Sequence, residues 1–97
     1  MILDLGEEIC SLARMGQKKM ISCYKLAGAD LNTVNMSRQT ALHAAVETGQ
    51  FKVVQFLIEH NIDITRQDIF GRTAKDLAVL LNRKEILSLL ERAQSEQ

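Results

Sequence analysis

Few side chains in this chain are suited to chemistry. His43 and His60 are the only histidines, and Cys10 and Cys23 the only cysteines, among 97 residues. A cysteine beside a histidine could supply a thiolate nucleophile, but neither cysteine has a histidine near it in sequence. Nor is there a second cysteine or histidine pair at zinc-site spacing. The pattern predicts two buried thiols in a reducing compartment. The adjacent acids Glu7 and Glu8 suit a helix N-terminus, where negative charge meets the positive end of the helix dipole. There is no glycine-rich phosphate loop and no carboxylate cluster at metal-ligand spacing. The sequence therefore offers no catalytic, cofactor-binding or metal-ligating set, and it reads as a non-enzyme.

Composition narrows the partner class. The chain has 46% apolar and 25% charged residues, one domain's worth of ordinary globular protein. It has no proline and only four aromatics, three Phe and one Tyr. A core must come from Leu, Ile, Val, Ala and Met. Twelve basic residues balance twelve acidic ones, and the balance is local. Residues 1–34 carry four of each, residues 35–67 three of each, and residues 68–97 five of each. A nucleic-acid binder or an anionic-membrane binder concentrates positive charge, so neither partner is expected. No apolar run approaches the roughly 20 residues that span a bilayer. The start, Met1-Ile2-Leu3-Asp4, lacks the basic region of a secretory signal. A cytoplasmic setting follows, with the nucleus also allowed.

Stepping along the chain from Gly16 to Gly49 to Asn82 brings like upon like. At the same step Leu12 meets Ala45 and Ala78, Ile21 meets Val54 and Leu87, and Tyr24 meets Leu57 and Leu90. Asp30 and Asp63 follow suit. Within the middle unit, Thr40 is a good N-cap, Leu42, Ala45 and Val46 mark one helical face, and Gly49 permits the positive φ that ends the helix. A second helix starts near Phe51, with Val53, Val54, Leu57 and Ile58 as its apolar stripe. The stretch from His60 to Gly71 then predicts an extended, hairpin-like excursion, with a counterpart from Gly28 to Asn35. In the third unit Thr73 and Asp76 make a capping box, and a second helix runs from about Arg83 to Arg92.

These features resemble the ankyrin-repeat family. The resemblance rests on Thr40-Ala41-Leu42-His43-Ala44-Ala45, Gly49, Val53-Val54, Leu57-Ile58, and the connectors Gly28-Ala29-Asp30-Leu31-Asn32 and Asn61-Ile62-Asp63-Ile64. It covers about residues 6–92. Ala41 and Ala74 replace the proline usual after the threonine, Lys75-Asp76 replaces Leu-His, and Glu7-Glu8-Ile9-Cys10 is a faint echo. Degenerate outer units suit a short array whose ends face water. The implied fold is all-α: a short α-solenoid of three helix–turn–helix repeats with hairpin-like connectors. The repeats span approximately 6–34, 35–67 and 68–92 within a single domain 1–97, and residues 93–97 form a frayed tail. The resemblance also implies that His43 hydrogen-bonds beside the Thr40 cap. Equivalent places in the repeat bring Cys10 near His43, which is read as packing rather than catalysis.

By the same resemblance, the hairpin tips and the exposed side of each first helix form a concave face that holds protein partners. The matching connector positions are Val34, Met36, Ser37 and Gln39, then Gln67, Ile69, Phe70 and Arg72. On the first helices they are Arg14 and Met15, Glu47 and Thr48, then Leu80 and Leu81. The expected contact set is Met36, Ile69, Phe70 and Leu80 as apolar contacts, with Gln39, Glu47 and Arg72 beside them. Two arrangements are open. Phe70 and Leu80 form a contact surface, or Phe70 folds onto its own hairpin with Leu80 beneath it. Lys18-Lys19 and Arg83-Lys84 read as solvated outer faces.

The expected function is non-catalytic recognition of a protein partner. The alternative is a C-terminal regulatory or assembly appendage of a cytosolic enzyme, since the chain also looks somewhat like the ankyrin-bearing tail of type I asparaginase/lysophospholipase-like proteins. The apolar start, Met1 to Leu5, suggests a preceding domain or self-association through that edge. The polar C-terminus reads as a genuine end.

Overall fold

The computed structural model describes residues 5–96. The segment Met1 to Asp4 and Gln97 lie outside the described residues, and with them most of the apolar N-terminal stretch. Six helices follow in order: α1 Leu5–Arg14, α2 Lys18–Leu26, α3 Ala41–Thr48, α4 Phe51–Glu59, α5 Ala74–Leu80 and α6 Lys84–Glu96. No strand occurs among the described residues. The fold is an all-α repeat, with three helix pairs stacked in register.

Each pair is short because its ends are set by local chemistry. Thr40 accepts a hydrogen bond from the His43 backbone N–H, and the His43 ring accepts one from the Thr40 N–H, so two orphan donors are satisfied at once. Thr73 and Asp76 repeat this at α5. Glu7 and Glu8 sit in the first turn of α1. The helices of each pair are divided at Gly16, Gly49 and Asn82, whose φ angles are 71°, 73° and 59°. The column that the sequence repeat picked out is thus a column of left-handed turns.

Stacking supplies the core. α1 packs on α3 and α3 on α5, while α2 packs on α4 and α4 on α6. Ile9, Ile21, Leu42, Ala45, Val54, Leu57, Ala78 and Leu90 are buried. Leu12, Tyr24 and Leu87, which hold the same repeat positions as buried Ala45, Leu57 and Val54, are only half-buried. They belong to the outer units, which have a neighbour on one side only. At the N-terminal end α1 approaches the first connector closely: a Cβ on Gly6 would lie 1.9 Å from the Val34 carbonyl oxygen.

Three expectations are corrected. The last helix does not end at Arg92, because α6 continues to Glu96. Ile86, Leu90 and Ala93 are all buried, so the stripe carries the helix one turn further, and Lys75 Nζ meets Gln94 Oε1 at 3.3 Å. Cys23 is exposed, while Cys10 is buried; α2 is the outer helix of an end unit and has one apolar face to bury. Arg83 is half-buried rather than wholly solvated. Its Nη2 donates to the Glu47 carbonyl oxygen at 3.0 Å, as its counterpart Gln50, one repeat earlier, donates to the Arg14 carbonyl oxygen at 2.9 Å.

Candidate partner-binding face

The two connectors are hairpin-shaped without being strands, and a side-chain anchor explains how. Asn35 Oδ1 accepts the backbone N–H groups of Ser37 and Gln39, and Asp68 Oδ1 accepts those of Phe70 and Arg72. Both anchors are buried. A side chain that bonds the backbone two and four residues on folds the chain into a tight tip. The second tip is tied to the first by the Ile69 N–H, which donates to the Ser37 carbonyl oxygen at 3.0 Å.

The turns hold their apolar side chains outward. Met36 is 87% exposed, Ile69 55% and Phe70 73%. Leu80, on α5, is 64% exposed. Phe70 does not fold onto its hairpin over Leu80; its ring faces the Arg72 guanidinium at 4.9 Å. Arg72 in turn is held by Asp68, through Nε and Nη2, each at 3.0 Å. Burial disfavours the charge of Asp68. The Arg72 and Phe70 backbone N–H groups and the Arg72 guanidinium outweigh it, and the carboxyl is held below its ordinary range. Arg72, expected as an orienting charge, therefore has its charge committed within the tip and braces the Phe70 ring.

Gln39 sits deeper than the other residues of the expected contact set. It is 9% exposed and lies behind the face, linking two charges. Arg14 Nη2 donates to Gln39 Oε1 at 2.7 Å, and Gln39 Nε2 donates to Glu47 Oε2 at 3.2 Å. Arg14 and Glu47 are 3.9 Å apart. Met15, Thr48 and Leu81 are exposed. Sequence reasoning placed Arg14 on this face but missed its partnership with Glu47. The signal was present, since the two hold the same place in successive repeats.

The residues that first invited chemistry are engaged in packing bonds. His43 Nδ1 accepts from the Thr40 N–H at 3.2 Å, which leaves the proton on Nε2, and Nε2 donates to the Arg72 carbonyl oxygen at 2.8 Å. Cys10 Sγ meets the Gln39 carbonyl oxygen at 3.3 Å. This bond and the one from His43 to Arg72 are related by one step of the repeat: each joins a unit to the base of the next tip. His60 caps α4 at the surface, its ring 4.3 Å from that of Phe56.

Helix pairs repeated in register, Thr caps on the second and third of the first helices and tips anchored by Asn or Asp define the class. A family model described as ankyrin repeats in three copies matches residues 9–96. The chain belongs to the ankyrin-repeat family. It is 31% identical over 86 residues to the potassium channel AKT1 of Arabidopsis thaliana, covering 89% of this chain and 10% of that protein. It is 29% identical over 93 residues to an L-asparaginase of Dirofilaria immitis, covering 96% of this chain and 16% of that protein. It is 32% identical over 62 residues to alpha-latrotoxin-Lh1a of Latrodectus hasselti, covering 64% of this chain and 5% of the toxin. The chain thus spans a sixth or less of the length of these relatives. Ankyrin repeats generally mediate protein–protein interaction and are typically non-catalytic. No helix among the described residues is long and apolar enough to cross a membrane.

Proposed function

We propose that this chain is a non-catalytic recognition module that takes a protein partner on its concave face. Met36, Ile69, Phe70 and Leu80 make the apolar contacts. Glu47 and Arg14 orient the partner, Arg72 braces Phe70, and Gln39 acts from behind by holding the two charges. The observation that carries this reading is the exposure of four large apolar side chains where the fold needs none for its own core. Exposed apolar side chains with an aromatic among them favour contact surfaces. The partner is a protein, not nucleic acid or a membrane, because no part of the chain concentrates positive charge. A cytoplasmic setting is consistent with this use.

The test is affinity capture from cytosol with the wild-type chain beside Phe70→Ala and Leu80→Ala. Both variants are expected to melt within a degree or two of wild type and to lose most of the captured partner. A fall of several degrees in each would place the residues in the core and remove the proposal.

A second reading draws on the near full-length match to part of an L-asparaginase. In it the chain is the regulatory or assembly appendage of a longer enzyme of that kind, with the chemistry elsewhere. Sequencing the parent transcript decides this. An upstream amidohydrolase-like domain supports it, and a reading frame confined to these residues eliminates it.

A further inference from the structure

We infer that the partner presents an acidic, then a basic, then an apolar side chain to Arg14, Glu47 and Leu80, in the order in which the helix pairs stack. This rests on the concave-face reading and gives that face a direction.

Arg14, Glu47 and Leu80 lie at the C-terminal ends of α1, α3 and α5. They occupy the same place in three successive units. Their stems therefore follow one another at the spacing of packed helices, about 8–10 Å. The core makes no demand on this place, since it accommodates a cation, an anion and a leucine in turn. What it carries is free to encode a partner.

The two charges are fixed rather than floppy. Gln39 holds both head groups, and is itself held by Asn35, whose Oδ1 accepts the Gln39 N–H at 3.0 Å and whose Nδ2 approaches Gln39 Oε1 at 3.4 Å. The Arg14–Glu47 contact is long, 3.9 Å, and both side chains are partly in water. Such a pair adds little to stability. It leaves Arg14 with guanidinium hydrogens that have no protein acceptor among the described residues. It likewise leaves Glu47 with one carboxylate oxygen free of a described donor. A carboxylate opposite Arg14 and an ammonium or guanidinium opposite Glu47 complete both. A partner laid in the reverse direction keeps its base opposite Glu47 but sets an apolar side chain against Arg14 and its acid against Leu80, so Arg14 goes unpaired and a carboxylate meets an apolar surface. Electrostatic order of this kind sets register and rejects wrong partners more than it adds affinity. Leu80 then ends the row beside exposed Leu81 and gives the apolar anchor.

The test is to pan a phage-displayed library of random linear peptides, long enough to span three units when extended, on the full wild-type chain and on the double variant Arg14→Glu with Glu47→Arg. The Gln39 amide can turn over to serve the exchanged pair, and a melting curve checks that the variant folds. Peptides enriched on wild type are expected to carry acid, base and apolar residues in that order. They should bind the double variant at least about tenfold more weakly, and the variant should enrich the opposite charge order. Equal binding of those peptides to both proteins overturns the inference. If those equally bound peptides still lose affinity for Phe70→Ala, the face stands and only its charge order falls. If Phe70→Ala leaves their binding unchanged, both readings fall. A library that yields no binding peptide also counts against both.

Discussion

Arg38 adopts a φ of 57° at the place in the first tip where the second tip has Gly71, at 76°. A residue with a Cβ is strained there and glycine is not. Arg38→Gly is therefore expected to stabilise the chain by about 0.5 kcal/mol, or a few degrees in melting temperature; a lower melting temperature would show that the arginine side chain supports the tip. The neighbouring anchors form a second natural comparison. Asn35 does with a neutral amide what Asp68 does with a carboxylate. Because Asp68 is held below the ordinary carboxylate range of about 4, its charge contributes stability above that pH. The contribution is lost as pH falls through its lowered folded value. Asp68→Asn is expected to keep the tip but flatten the decline of melting temperature with pH below about 4. An unchanged decline would assign acid sensitivity to other carboxyls.

The two capping boxes share their Thr-Ala start and differ in the closing residue and in surroundings. Thr40 is wholly buried and its hydroxyl lies 3.0 Å from His43 Nδ1, whereas Thr73 caps with exposed Asp76. Losing a cap costs about 1 kcal/mol, and leaving a buried partner unsatisfied adds about 1 more. Urea titration should show Thr40→Ala losing about twice what Thr73→Ala loses; equal losses would mean that burial adds nothing to this cap. Both caps were legible from their residues, as were the helix-ending turns at Gly49 and Asn82. The end of α6 was not. Ala93-Gln94-Ser95 reads as a polar tail, and only the packing that buries Ala93 and brings Lys75 to Gln94 shows why the helix continues.

At the scale of the molecule, each helix pair buries its apolar surface only against a neighbour, the middle pair on both sides and each outer pair on one. The three pairs should therefore unfold in one transition. Ala45 sits at the centre of the column Leu12, Ala45, Ala78 and is fully buried. Ala45→Leu is expected to cost about 1–3 kcal/mol by overpacking in chemical denaturation; a neutral effect would mean that the seam is looser than its burial indicates. The sequence alone determined the repeat, the caps, the turn columns and the tips, because these follow from backbone preferences that neighbouring residues settle among themselves. Burial was decided only by tertiary structure. Ala13, Val46 and Val79 hold one place in the repeat, yet the first two are fully buried and Val79 is 60% exposed. Gln39 turned inward and Phe70 outward for a similar reason: whether a side chain meets protein or water depends on which unit lies against it, and local sequence does not encode that.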